Sequence, residues 1–201
     1  MTQHGFSEDL EKWLNGKQKK TLHSLGEVFA EKSFAVLFLV LMFFPSLPIP
    51  TGGVTHFVML PIAMLLSLEL IIGRDHIWLP AKAKQRRLGG LTEKRVLPFM
   101  MRRIRWFEKF ARPRFTGIMT NHRFGQAYGL TVLIYALAAF FAPPFSGLDT
   151  LPAFGVVVMS LGIILEDGLI YVIGFISGVI GITLSVLFGA AIAKVVAGIF
   201  T

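Results

Sequence analysis

The chain has no cysteine among its 201 residues. Disulfide frameworks, thiolate catalysis and most structural zinc sites are thereby excluded, and cysteine usage leaves the redox compartment undefined. Charge is scarce as well: Asp, Glu, Lys and Arg make up 16% of the residues against 54% hydrophobic ones, and the mean hydropathy is +0.65. Soluble globular chains carry about 25% charged and about 45–50% apolar residues, so this is the composition of an integral membrane protein. Residues 1–32 are polar and mixed in charge and lack the basic start and short apolar core of a cleavable signal peptide, which leaves the first apolar helix to direct insertion. No Gly-x-Ser-x-Gly elbow, His-Glu-x-x-His helix or phosphate-binding Gly-x-x-x-x-Gly-Lys loop occurs. An enzyme is not expected, nor a cofactor or metal. The formal charge of +8 does not point to nucleic acid, because the bases do not sit on a soluble domain that could present them to a groove.

What the sequence does contain is a break in its first apolar run. Pro45-Ser46-Leu47-Pro48-Ile49-Pro50-Thr51-Gly52-Gly53 puts three prolines and a glycine pair between two apolar stretches. Each proline removes a backbone donor and clashes with the carbonyl one turn back, and the glycines permit positive φ. A helix from about Ser33 to Phe44 must stop there, and a second one is predicted over Val54 to Ile72. In lipid such a break needs protein or water to satisfy the freed backbone groups.

The second half repeats this order of events. Leu130 to Ala142 is apolar, Pro143-Pro144-Phe145-Ser146-Gly147-Leu148-Asp149-Thr150 is a break, and Leu151 to Leu165 is a second helix that ends in Glu166-Asp167-Gly168, where the first half has Gly73-Arg74-Asp75. The offset is about 93 residues, with a slip of one or two. Internal repeats of this kind occur in transporters. If both arms of each half return to the basic side, the repeats are parallel rather than inverted.

Between Gly73 and Arg123, fourteen bases face three acids, which makes this segment cytoplasmic by the positive-inside rule. Within it Met100, Ile104, Phe107 and Ala111 share a helical face, Arg102, Arg105 and Lys109 point away, and Trp106 lies at the boundary. This fits an interfacial amphipathic helix on anionic lipid. A solvated loop that only fixes topology fits equally. The chain thus divides into a polar amphipathic segment (1–32, with helix starts at Ser7 and at the capping box Ser24 to Glu27), membrane repeat 1 (33–80), a basic cytoplasmic linker (81–123), membrane repeat 2 (124–168) and a C-terminal glycine-rich hydrophobic segment (169–201). The expected fold class is an all-α integral membrane protein built from two proline-broken helical repeats.

Leu169 to Phe200 is long for one upright span, so it is expected to be tilted or broken near Gly178 to Gly181. Gly174-xxx-Gly178 and Gly189-xxx-Ala193-xxx-Ala197 put small residues on common faces, and a homo-oligomer is expected from them.

Ionisable groups inside apolar runs are costly and mark function or pairing. Glu166 and Asp167 are expected to pair with arginine where a helix emerges, Glu69 to snorkel toward the surface near Arg74, and Asp149 with Thr150 to cap the helix that Pro152 opens. His56 follows Thr51-Gly52-Gly53 at the amino end of a membrane helix, where it can bind an anion or relay a proton. An interhelical hydrogen bond is the plainer role for it. His122-Arg123 can contact a lipid phosphate.

The run Phe44 to Gly53, with Leu60-Pro61, Gly73-Arg74-Asp75-His76-Ile77-Trp78-Leu79-Pro80, Pro143-Pro144-Phe145, Leu151-Pro152-Ala153 and Glu166-Asp167-Gly168-Leu169, resembles the ExoD family of bacterial membrane proteins, from about Leu22 to the C-terminus. The family pattern Glu-Arg-Asp-Gly reads Leu165-Glu166-Asp167-Gly168 here. The resemblance implies a protein of the bacterial inner membrane implicated in exopolysaccharide synthesis; with the charge asymmetry, the expected topology is multi-pass with the N-terminus and basic linker cytoplasmic. The leading expectation is a transporter or flippase-like protein for an anionic lipid carrier, a polyprenyl phosphate, or a small anion. Its site is drawn from Thr51, Gly52, Gly53, His56, Ser146, Gly147, Asp149 and Thr150, with Arg74 and Arg123 attracting the phosphate at the cytoplasmic mouth. The rivals are a non-transporting assembly factor that recruits polysaccharide enzymes, and a proton- or cation-coupled exchanger working through Glu69 and His56. A polar cavity between the two breaks would favour transport, and tight apolar packing there the assembly factor.

Overall fold

The computed structural model describes residues 11, 12, 15, 16, 32–47, 53–74, 99, 102, 105, 106, 111, 121–142 and 147–200, with side chains up to residue 191. The described residues are helical, with no strands. They form α1 (Ser33–Phe43), a π-helical turn (Thr55–Met59) leading into α2 (Leu60–Ile71), α3 (His122–Phe141), α4 (Thr150–Ile164) and α5 (Gly168–Phe200). The N-terminal helix starts and most of the basic linker lie outside the described residues.

Helix α1 is apolar on all sides and is buried on all sides, from Ser33 through Met42. It stops where Pro45 supplies no N–H. Ser46 closes the end, donating its N–H to the Met42 carbonyl at 3.1 Å and its hydroxyl to the Phe43 carbonyl at 2.6 Å.

Four helices stand in a ring in the order α1, α2, α3, α4, with the backbones of the diagonal pairs α1/α3 and α2/α4 set apart and Phe38 of α1 meeting Tyr128 of α3 edge to face at 5.7 Å. The polar contacts give their directions. Gln126 Nε2, near the start of α3, donates to the Ile71 carbonyl at the end of α2 (3.0 Å), and Lys32 Nζ, just before α1, donates to the Ile164 carbonyl at the end of α4 (2.9 Å). Tyr128, early in α3, meets Ser160, late in α4. Ring neighbours are therefore antiparallel. The starts of α1 and α3 and the ends of α2 and α4 share one end of the bundle, and both proline breaks lie at the other. Helix α5 packs outside the ring, antiparallel to α4 and touching α3.

Helices α2 and α4 finish alike. The N–H of Gly73 bonds to the Leu70 carbonyl and that of Arg74 to the Glu69 carbonyl; 93 positions on, Glu166 bonds to Ile163 and Asp167 to Gly162. Each is a Schellman closure with its left-handed residue in place, Gly73 at φ +82° and Glu166 at φ +56°.

Several expectations need correction. The first arm of the second half begins at His122, not Leu130, because Asn121 Oδ1 accepts the Arg123 N–H at 3.0 Å and caps a 20-residue helix. Helix α5 runs unbroken through Gly178 and Gly181, since these glycines are contact points: a Cβ on Gly178 would strike the Tyr135 ring, and one on Gly181 would lie 2.7 Å from Leu151 and Pro152. Gly174-xxx-Gly178 is thus used within the chain, against Met159 and Gly155, and is not free for self-association. The second arm of the first half is not α-helical throughout, as it opens with the π turn.

Outside, the bundle is apolar. Leu130, Ile134, Leu137 and Phe141 form an exposed stripe along α3, and Phe57, Leu68 and Ile72 are exposed on the second arm of the first half. Ile173, Ile176, Ile180, Leu184 and Leu187 are exposed on α5. Apolar surface on this scale marks contact with lipid or protein.

Candidate functional site

The two breaks share one end of the bundle, and each contributes a glycine in the left-handed region just before a helix, Gly53 at φ +83° and Gly147 at φ +71°. The Gly53 carbonyl accepts the Phe57 N–H at 2.9 Å, and the Gly147 carbonyl accepts the Thr150 N–H at 3.3 Å. At the first glycine the chain enters the π turn, closed by the Leu60 N–H on the Thr55 carbonyl five residues back. His56 lies in this turn. Its Nδ1 is 3.5 Å from the Thr55 hydroxyl, its ring centroid is 6.5 Å from that of Phe140 on α3, and its Nε2 is buried and makes no hydrogen bond among the described residues.

At the second break Asp149 and Thr150 are half-buried. Asp149 holds the capping position with helical dihedrals and its side chain caps nothing, so the expected N-cap is not formed. The Leu148 carbonyl accepts the Ser185 hydroxyl at 3.3 Å, tying this break to α5. Thr51, Gly52 and Ser146 lie outside the described residues.

Arg74 and Arg123 are exposed at the opposite end, next to the closure of α2 and the start of α3. They belong to the other mouth of the bundle and cannot touch a group held at the breaks. Glu69 does not snorkel: it is 5% exposed. It follows His56 by thirteen residues, about 19 Å along the helix, so the two cannot pass a proton directly. Glu166 pairs with Lys32 at 2.7 Å rather than with an arginine, and Asp167 accepts the Leu169 N–H at 2.9 Å, capping α5.

Other polar residues at the packing surfaces escape a sequence reading. Ser160 donates to the Val156 carbonyl at 2.7 Å, which leaves its oxygen to accept the Tyr128 hydroxyl, also at 2.7 Å. Tyr135 donates to the Phe175 carbonyl at 2.6 Å, joining α3 to α5. The available signal was spacing: Gly125-xxx-Gly129 admits Leu70 and the Ser67 carbonyl, and Gly155 meets Gly178. Leu66, Val132 and Ala136 are fully buried among the four helices, Met159 packs against Gly174 of α5, and the Tyr128 ring, bonded to Ser160, lies 5.7 Å from that of Phe38 across the bundle.

Of the linker, Phe99 lies against Phe43 with ring centroids 6.0 Å apart, Ala111 packs on the core, and Arg102, Arg105 and Trp106 are exposed, with Arg105 paired to Glu11 at 2.7 Å.

A mainly apolar core, an apolar exterior and hydrogen bonds that join neighbouring helices mark a helical membrane protein. Two of its described helices, His122–Phe141 and Gly168–Ala191, have the length and hydropathy to cross a bilayer. The chain belongs to the ExoD family, described by exopolysaccharide synthesis, which it matches over residues 6–187. It is also similar to an uncharacterized protein of Synechocystis sp., 27% identical over 180 residues that cover 87% of this chain and 82% of that protein. No solved structure matches it.

Proposed function

We propose that this protein of exopolysaccharide synthesis is a multi-pass plasma-membrane protein that binds and moves an anionic lipid carrier, a polyprenyl phosphate, or a small anion. The observation that carries the reading is His56 Nε2, buried and without a hydrogen bond at the amino end of a helical arm that runs from Thr55 to Ile71. Helix amino ends favour anions, and an imidazole N–H adds a donor. Thr51, Gly52 and Gly53 supply the neighbouring backbone, and Ser146, Gly147, Asp149 and Thr150 the corresponding segment of the other half. Arg74 and Arg123 serve the opposite, cytoplasmic face, where they attract the phosphate before it reaches the breaks.

The like endings of α2 and α4 and the exchanged contacts of Gln126 and Lys32 support an internal duplication with parallel repeats, related by an axis along the bundle. The buried core shared by the four helices supports cargo moving along the outer surface rather than through the centre. Self-association is assigned to the far part of α5, where a Cβ on Gly189 meets nothing within 4 Å. The exchanger reading is the weaker one, given the separation of His56 from Glu69.

One observation favours a second reading. The mainly hydrophobic core among the described helices is what a non-transporting assembly factor needs, with its exposed bases recruiting polysaccharide enzymes. Vesicle flipping of a fluorescent polyprenyl phosphate separates the two. Movement that His56→Ala abolishes supports the transporter, whereas folded protein that neither binds nor moves the lipid supports the assembly factor.

A further inference from the structure

The interval between the left-handed glycine and the last residue of the following helix differs between the halves by one position. It runs eighteen residues from Gly53 to Ile71 and seventeen from Gly147 to Ile164. A π turn holds one residue more than an α turn, and the π turn at Thr55–Met59 lies within the longer interval. The shorter interval is helical without one.

We infer that this extra residue is an insertion that serves binding: the π turn orients His56, and the protein has one phosphate-oxyanion site at the first break rather than two equivalent sites. The inference rests on the anion-binding reading above. The physical reason is rotational. One residue is about 100° of turn, so without the insertion the segment before it would be rotated by that angle about the helix relative to α2. In the present register Nε2 is enclosed beside Phe140, while its neighbour Phe57 points outward at 80% exposure. In the second half the matching positions are Asp149 and Thr150, which offer no imidazole donor. π bulges within helices are often found at functional sites because an unfavourable insertion persists where it is used.

Deleting Phe57 gives the first half the spacing of the second and removes a side chain that packs little. The measurement is equilibrium binding of a fluorescent polyprenyl phosphate to the full chain in detergent, with inorganic phosphate as competitor and thermal unfolding in parallel. The deletion variant is expected to unfold within a few degrees of wild type, as the second half already folds at this spacing, and to lose affinity on the order of 10- to 100-fold, the worth of a hydrogen bond to a charged group. His56→Ala is expected to lose as much, and His56→Gln less, because its amide still donates. Competition by inorganic phosphate identifies a small-anion site, and its failure a site that needs the lipid; both outcomes support the inference if the deletion weakens binding. A folded deletion variant with wild-type affinity overturns it and spares the anion-binding reading. A deletion variant that cannot fold shows that the extra residue is structural and overturns it as well. Wild-type protein that binds neither probe overturns both.

Discussion

Lys32 donates to the carbonyl of Ile164 at 2.9 Å, and in doing so repeats, across the bundle, what Gln126 does for Ile71 at 3.0 Å. In each case a side chain at the start of one half closes the last turn of the other half's second helix, where carbonyls have no partner of their own. The halves therefore hold each other at the end of the molecule that carries Arg74 and Arg123.

Replacing Lys32 with Met removes both this bond and the 2.7 Å pair with Glu166. With the side chains 34% and 40% exposed, water screens the pair, and the expected loss is about 1 kcal/mol, seen as a drop of a few degrees in Tm in detergent. Glu166→Gln in the same background should add little, and a full additive loss would show that the two do not act together.

The glycine contact between α4 and α5 admits no side chain. A Cβ on Gly155 would stand 2.7 Å from the Cα of Gly178. Gly155→Leu is expected to separate the helices and yield aggregated or degraded protein, while Gly189→Leu, with open space around it, leaves the protomer folded and shifts only its self-association. Size-exclusion chromatography of the two variants decides it.

Ser160→Ala should cost more than Tyr128→Phe. Loss of the serine leaves a buried phenol hydroxyl without its acceptor, at about 1–3 kcal/mol, whereas loss of the phenol hydroxyl leaves Ser160 still bonded to Val156. The double variant is expected to recover most of the difference. Thermal unfolding of all three gives the order.

Gly73→Ala puts a Cβ 2.5 Å from His122 Nε2 at φ +82°. The left-handed backbone alone costs about 1–2 kcal/mol. Adding His122→Ala should relieve the clash and leave only that backbone cost, read as a partial recovery of Tm.

The chain has no native cysteine, so single substitutions report sidedness directly. Arg74→Cys and Asn121→Cys, both exposed at the same end of the bundle, should react with an impermeant maleimide from one side of the membrane. Labelling from opposite sides would refute the parallel arrangement.

Much of the architecture is legible in the sequence because it depends on local chemistry. Pro45 ends α1 through a missing N–H, Gly53 and Gly147 take positive φ where an L side chain would strain, and apolar runs without charge form helices. The offset near 93 residues predicts that Gly73 and Glu166 stand at like positions, and they do. Less legible is where α3 starts, since His122 to Gln126 are polar and look like linker until Asn121 is seen to cap them. The π turn leaves no signal in apolar residues alone, because an extra residue in a helix shows only against the register of its neighbours.

By itself the sequence determined an all-helical protein of membrane composition whose apolar runs are interrupted at proline-rich stretches, since composition and backbone chemistry act on each segment separately. Only the tertiary structure decided that the halves cap each other's helices, that Gly174 and Gly178 serve α4 rather than a second copy, and that His56 stands apart from Glu69, Arg74 and Arg123. Those outcomes depend on which helix faces lie together, and that is fixed by close packing across long separations in the chain, not by any one stretch of it.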